Sequence, residues 1–521
     1  MLIDNLIKSN SLRNNDYYIM YIIIMGGGLI QLAAIGAEDL YLTNDPQITY
    51  FKIIYRRYTN FAIEAIPQYF TTTTPDFGQK VTCTITRNAD LISKTYLIVD
   101  LPAIPQFVNA NGSASTTNVF AWINKIGYMM LNAIELEIGG QIIDRQWGDW
   151  LNIWQQLTAP QSPDGLYKMI GQVPELTSFT NGKAGYRLYI PLSFYFCKYN
   201  GLALPLVALH YSTIKIHIEF MEVTECYKFG PQNSIQINQS MVTYEPYEFL
   251  QQTVNGNTVY GQYIGYDVAT QSLLYNALNG DFVSQSGTTT TFDYTIYGLT
   301  SNSISTPVIN STQQNINIII PQLSISSAFL LVNYIYLDNQ ERLRFAKSSH
   351  EYLIEQLLID PDRQIYSNNL KIKLGFNHPC KELVFRAYLN YIGNGALNDK
   401  SNYTTYIVAS EGNNIIKTGT LLLNGNERFY LRTGSYFNWV QVYQSHTNDA
   451  PYGVNVYSFA LNPEEHQPSG SLNFSKIDDI SLQLSFDSSI SYNNPGTLRT
   501  YALVYNVLRL INGLGGLAFS N

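Results

Sequence analysis

Charge is what this chain has least of. Asp, Glu, Lys and Arg make up 13% of 521 residues, where soluble domains usually carry roughly 25%. The balance is acidic, with 31 Lys and Arg against 39 Asp and Glu. No basic block is present to neutralise a phosphate backbone, which argues against direct contact with nucleic acid. Cysteine is scarce too. Cys83, Cys197, Cys226 and Cys380 are the full set and none are at CxxC spacing, which excludes a disulfide scaffold and reads as four inert buried thiols in a reducing compartment. Long apolar runs are missing. Tyr17–Met25 is the longest, well short of the ~20 residues of a membrane span. Asp4 and Asp16 precede it and no small-residue cleavage site follows, unlike a secretory signal. Met25 then reads as the start, with residues 1–24 a leader or mis-annotated extension. The opening MGGGLIQL has Ile30 where a myristoylation motif needs Ser or Thr.

What the chain has instead is aromatic and apolar surface: 13% aromatics, 41 of them Tyr, and 45% hydrophobic residues. Protein interfaces are depleted in Lys, Glu and Asp and enriched in Tyr and Trp. AT-rich coding would also raise Tyr, Ile and Asn, so two explanations stay open. The length implies about two to four domains.

Period-two alternation dominates. In Thr213–Phe220, Ile214, Ile216, Ile218 and Phe220 share one face, as do Ile480, Leu482, Leu484 and Phe486 in Ile480–Phe486. These are half-buried strands. Ala133–Asp144 reads as a hairpin turning at Gly139-Gly140, because a tight two-residue turn needs positive φ angles. Many short strands with polar turns indicate an all-β sandwich protein. Few helices are expected. One starts at Asp45-Pro46 with a stripe of Ile48, Phe51, Ile54, Tyr55 and Tyr58. Another carries Trp150, Leu151, Trp154 and Leu157.

The halves look alike. A hairpin followed by DWLNIWQQL in the first is matched with Phe329–Leu337 followed by Ser348–Leu357 in the second, and each half closes on a similar strand. This predicts two copies of one sandwich: residues 25–243 for an N-terminal arm and the first, residues 244–521 for the second. Residues 253–322, rich in Ser, Thr, Asn and Gly with only Asp267, Asp281 and Asp293 charged, read as an ordered surface insertion in the second.

Candidate chemistry is thin. His350-Glu351 lacks the second His of HExxH, since position 354 is Ile; it reads as a polar helix end. Glu464, Glu465 and His466 are consecutive and point in alternating directions, whereas paired carboxylates must face each other across a cleft; a turn before Pro468 explains them better. Gly513–Ala518 matches a dinucleotide-loop pattern without the helix that must follow. Lys52, Arg56 and Arg57 form a small basic spot suited to an acidic partner or lipid head groups. Sequons mark Asn111, Asn238, Asn310, Asn402 and Asn473 as glycosylation acceptors, should the chain meet that machinery. No catalytic, cofactor or metal residue is assigned.

Tyr457–Asp479, YSFALNPEEHQPSGSLNFSKIDD, reads as strand, polar turn and strand, and it resembles a signature of one family. So do Gly26–Ile66, Glu135–Leu151, Pro191–Phe220, Tyr334–Gln356, Leu421–Asn448 and Tyr501–Asn521, in family order. The family is the major capsid proteins of nucleocytoplasmic large DNA viruses, of mimivirus, phycodnavirus and iridovirus type. The resemblance implies a double jelly roll, two tandem eight-stranded sandwiches. It implies a homotrimeric, pseudo-hexameric capsomer that tiles an icosahedral shell without catalysis and without a cofactor. It further implies minor capsid and penton proteins as partners, an inner membrane or its proteins met through the N-terminal arm, and a virion capsid assembled in the host cytoplasm. Residues 1–24 and most of 253–322 fall outside the matched blocks. The alternatives are a double jelly-roll scaffold, a minor capsid paralogue, or a carbohydrate-binding or carbohydrate-cleaving sandwich with Trp147, Trp150 and Trp154 as a sugar platform. For Trp150 and Trp154 a helix stripe packed in a core is the reading favoured here.

Overall fold

The computed structural model describes residues 28, 31–32, 34–36, 38–109, 112–159, 164–239, 241–287, 292–393 and 397–519; the Met25 start and Asn111 lie outside them. The chain forms two compact units, Met1–Thr59 and Asn60–Asn521.

In the first unit the helix expected from Asp45 is not formed. Leu40–Thr43 makes one helical turn, and residues 46–59 carry no helix. Asp45 sits at φ 52, whereas a helix N-cap needs extended backbone. The stripe is built from Ile, Phe and Tyr, which are weak helix formers. A short helix also needs a packed face to persist, and Ile48, Phe51, Ile54 and Tyr55 are exposed.

The second unit holds sixteen principal strands in two sets of eight. In the first set these are β1 (Phe61–Gln68), β2 (Lys80–Thr84), β3 (Leu91–Leu101), β4 (Leu131–Ile138), β5 (Gln141–Gln146), β6 (Tyr186–Pro191), β7 (Ile214–Phe220) and β8 (Ser327–Leu337). In the second they are β9 (His350–Ile365), β10 (Asn369–Lys373), β11 (Pro379–Leu389), β12 (Ile416–Leu423), β13 (Asn426–Thr433), β14 (Val454–Ser458), β15 (Ile480–Phe486) and β16 (Gly496–Ile511). The first sandwich pairs its strands β1-β8-β3-β6 and β2-β7-β4-β5; the second repeats this as β9-β16-β11-β14 and β10-β15-β12-β13. First, eighth, third and sixth strands face second, seventh, fourth and fifth, which is the jelly-roll order. Both copies of the closing strand hold the same place, β7 and β15, as their shared alternation predicts. The Gly139-Gly140 turn is formed, with φ 60 and 89.

Sheet membership moves the seam between the halves. Strand β8, placed by sequence in the second half, pairs with β1 and β3 in the first sheet. The division expected at 243/244 therefore falls inside the connection between β7 and β8, and the second sandwich begins after helix α2 (Asn339–Lys347), capped by Asp338. Ser348–Leu357, read by sequence as the counterpart of the Trp150 helix, lies mostly in strand β9, so His350-Glu351 is a strand start and not a helix end. The described residues of 253–322 include several strands. They contribute most of a seven-stranded sheet running from Asn233 to Asn315 with its own core of Leu250, Leu273, Tyr275, Phe282 and Ile296. This sheet is inserted in the first sandwich, although Leu278 also joins the core of the second.

Register fixes the ends of the first sandwich. Phe61 pairs with Leu337 and Leu91 with Ile335 at one end; Leu101 pairs with Tyr186 and Asp100 with Ser327 at the other. The long connections 102–130, 147–185 and 221–326 all leave from the second end. The chain enters β1 at the first.

Candidate assembly interface

The two sandwiches meet along a seam built by helix α1 (Gly148–Thr158). Apolar residues recur at 150, 153, 154 and 157 because that spacing puts them on one helical face. Trp150 and Trp154 stack with ring centres 5.7 Å apart. Together with Ile153 and Leu157 they bury against Leu357 of β9, Val384 of β11, Val456 of β14 and Tyr501 and Leu503 of β16. The sugar platform is therefore absent: Trp150 is 1% exposed and Trp154 5%.

Polar groups pin the same seam. Asp149, at the start of α1, accepts hydrogen bonds from Arg386, Tyr501 and Arg499, the last at 3.0 Å. Arg499 also grips Asp362 with two nitrogens. Burial would raise the Asp149 carboxyl, but the two guanidiniums and the Tyr501 hydroxyl outweigh it and hold it well below the usual carboxylate range. Asp144 of β5 accepts from the Leu357 backbone at 3.1 Å and from Gln146 at 2.7 Å; here burial wins and its pKa is raised. Glu355 is buried between Lys198 of the first sandwich, at 2.7 Å, and Lys381 of the second. Those ammonium groups overcome burial and lower its pKa. Lys198 lies 4.3 Å from the centre of the Trp154 ring.

The Glu464-Glu465-His466 turn closes this cluster and forms no catalytic pair. Glu464 accepts from Thr447 and lies 3.0 Å from His446, whose other nitrogen is 3.0 Å from Glu382. The Glu465 carbonyl accepts from Lys381 at 3.1 Å. Burial lowers the His446 pKa, but the two carboxylates more than reverse that and push it to about 9.

The other candidates separate. Glu351 pairs with Arg509 at 2.8 Å. Gly513–Ala518 holds a hairpin whose strand, Leu514–Leu517, pairs back on β16. Lys52, Arg56 and Arg57 lie exposed in the first unit. All four cysteines are free, and burial pushes Cys83 and Cys197 up to about 12. Among the described residues no group of three His, Cys, Asp or Glu could hold a metal ion, and no helix is long and apolar enough to cross a membrane. Asn238, Asn310 and Asn473 are exposed. Asn402 is 1% exposed and donates to the Tyr406 and Ile407 carbonyls, which leaves its amide no room for a sugar in the folded chain.

Sequence reasoning missed the ionic seam. Its trace was present in Cys380–Leu389, CKELVFRAYL, where Lys381, Glu382 and Arg386 interrupt an otherwise apolar strand. Charges at such positions need buried partners.

Residues 49–265 match the family described as major capsid protein N-terminus, and residues 341–516 match the large eukaryotic DNA virus major capsid protein. Probable capsid protein 4 of Acanthamoeba polyphaga mimivirus is 41% identical, over 95% of this chain and 100% of that one. The chain belongs to the major capsid proteins of large eukaryotic DNA viruses. The major capsid protein of Phaeocystis pouchetii virus is 34% identical over the same shares of the two chains. A quasi-atomic model of the PBCV-1 virus capsid superposes with a TM-score of 0.60 at 27% identity, covering 91% of this chain and 100% of that one. The Faustovirus major capsid protein, at 13% identity and a TM-score of 0.63 over 93% of this chain and 96% of that one, shares the fold. This capsid protein is thus a double jelly roll and a component of the virion shell. Its relatives are structural proteins and not enzymes.

Proposed function

We propose that this capsid protein closes head to tail into a homotrimer of six sandwiches, the capsomer that tiles the shell. One observation carries the reading. The seam helix occurs twice, but only one copy is covered. Residues 148–157, GDWLNIWQQL, align with residues 434–443, GSYFNWVQVY, which occupy the same place after β13. Leu151 and Phe437 are both core, and Asn152 and Asn438 are both buried. The seam-facing residues Ile153, Trp154 and Leu157 correspond to Trp439, Val440 and Tyr443. Trp439 is 62% exposed and Tyr443 87%, and the adjoining edge strand β13 carries Tyr430 and Leu431 exposed.

The face such a helix would cover also has an open copy. Helix α1 packs on the outer face of β9-β16-β11-β14. The equivalent sheet of the first sandwich, β1-β8-β3-β6, leaves Ile63 and Tyr189 exposed. The 436–445 segment of one chain on that sheet of the next would repeat the internal contact between copies. Such a heterologous contact makes a ring when its rotation closes. Light scattering of the purified protein should give three chain masses. Trp439→Asp with Tyr443→Asp should give a folded monomer. A trimer that persists in that variant would sink the reading.

The finer expectations follow from it. Penton and minor capsid proteins and neighbouring capsomers would be the further partners, with assembly in the host cytoplasm. Exposed Lys52, Arg56 and Arg57 among aromatics suit an inner membrane or its proteins, and β1 starts at the end opposite the insert. Asn238, Asn310 and Asn473 would carry any glycan, read by peptide mass spectrometry of virions.

A further inference from the structure

A cavity of about 550 Å³ lies where loops of the two sandwiches meet, residues 124–172 of the first and 399–452 of the second. In the first sandwich these loops leave from the same end as the insert. The volume is that of a small-molecule site.

Lys125 lines it and is 7% exposed. Its backbone is held at φ 54, a conformation non-glycine residues rarely adopt. Its carbonyl accepts from Tyr128 at 3.0 Å and Met129 at 3.1 Å, which fixes it there. The Lys125 ammonium donates no hydrogen bond and forms no ion pair among the described residues. Asp399, which also lines the cavity, is the carboxylate that acts on it, and the same carboxylate acts on a second buried ammonium, Lys228. One Asp399 oxygen already accepts from Ser401, at 3.1 Å from the backbone and 2.6 Å from the hydroxyl. Burial lowers the Lys125 pKa to about 8, which still leaves it charged at neutral pH. A buried ammonium with no hydrogen bond and no ion pair is costly, so the site favours an anion.

The rest of the wall says which kind. Asp399 and Asp449 would repel a dianion. These carboxylates, with the amides of Gln155 and Asn448 also among the lining residues, call for a ligand rich in hydroxyl donors. Asn448 itself is held by donating to the Ala159 carbonyl. Tyr452, which lines the cavity and is exposed, is an aromatic ring of the kind that packs on a sugar's C–H surface. We propose that this cavity binds an acidic sugar, a uronate or a sialate, with its carboxylate on the Lys125 ammonium and its hydroxyls on Asp399 and Asp449. The cavity lies within one chain, so the proposal does not depend on how copies assemble.

The test is saturation-transfer NMR and calorimetry on the full-length protein with glucuronate, N-acetylneuraminate, glucose and inorganic sulfate. One acidic sugar should bind saturably; which of the two does so identifies the source. Glucose and sulfate should bind about tenfold or more weakly, the size of one charge-assisted hydrogen bond. Lys125→Gln should remove the preference for the acid over glucose. Tyr452→Ala, a surface change that leaves the fold intact, should weaken the acidic sugar severalfold. Absence of saturable binding by either acid overturns the proposal. So does binding that both variants retain, or sulfate binding as tightly as the sugar.

Discussion

Asp149 shows how much can rest on one carboxylate when water is kept out. Arg386 is buried beside it, flanked by the rings of Tyr388 and Tyr403 at 4.9 and 5.2 Å, and two of its nitrogens have no partner. Asp149→Ala would strand that guanidinium, and breaking one side of a buried pair costs about 3–5 kcal/mol. The exposed pair Arg187–Asp100, 2.6 Å apart, is the control: Asp100→Ala should cost no more than about 1 kcal/mol. Urea midpoints of the two variants decide this, and equal losses would refute the argument. His446 adds a pH dependence. Its folded pKa of about 9 lies above the ordinary histidine value near 6.5. Its stabilisation is therefore complete below about pH 6.5 and lost as pH rises through about 9. Glu464, whose pKa is lowered in the fold, works the other way and loses its contribution as pH falls below the carboxylate range. Between about pH 7 and 10 the urea midpoint should fall more steeply in the parent than in His446→Gln, where the buried thiols still give some slope. Parallel slopes would mean that the Glu382 and Glu464 contacts do not set the titration.

At the scale of elements, the sequence revealed those whose periodicity is set by their own burial. Strands β7 and β15, the Gly139 hairpin and helix α1 each bury one face of a regular repeat. Three elements were hidden, two of them because something distant decides them. Residues 350–357 contain good helix formers, Glu, Gln and Leu, but β16 supplies a strand partner along their length and pairing overrides propensity. The stripe at 48–58 has helical spacing and no cap geometry. Strand β8 returns to the first sheet only after the insert, a pairing no local pattern records. The true internal counterpart of α1 was also passed over, because its second copy opens with a π-helical turn, Tyr436–Val440. The glycines that begin both copies are its clearest mark. A Cβ on Gly148 would sit 1.9 Å from the Tyr128 carbonyl oxygen, and one on Gly434 2.0 Å from that of Ile416. Gly148→Ala and Gly434→Ala should each cost about 2 kcal/mol or more, since overpacking against backbone has nowhere to relax. Gly165, in the helix Asp164–Ile170 with open space around it, should respond with the opposite sign and gain up to about 1 kcal/mol as alanine. Thermal unfolding of the three variants tests the pair and the control together.

For the whole molecule, the question is whether the seam is an interface in its own right or a consequence of covalent linkage. The fold class and the duplication were readable from alternation and turn chemistry, but the seam was not, because it joins residues 157 to 352 positions apart. Its contents resemble those of a permanent subunit interface. An aromatic core of Trp150, Trp154 and Tyr501 is ringed by the pairs of Asp149, Glu355 and Asp144, the arrangement in which a few desolvated anchors carry most of the affinity. The covalent link is slight: α2, with no buried residue. Replacing part of α2 with a protease site and cutting there should leave two fragments that migrate together in gel filtration, in low salt and in about 1 M salt, where exposed charge pairs are screened but buried ones persist. Trp154→Ala in the cut protein, which removes a central anchor at a cost of about 3–5 kcal/mol, should let the fragments separate at low micromolar concentration. If the cut parent protein falls apart unaided, the seam needs its tether, and an untethered copy of the same contact could not hold one chain to the next. If it holds, the contact α1 makes within a chain is strong enough to be made again between chains by the 436–445 helix.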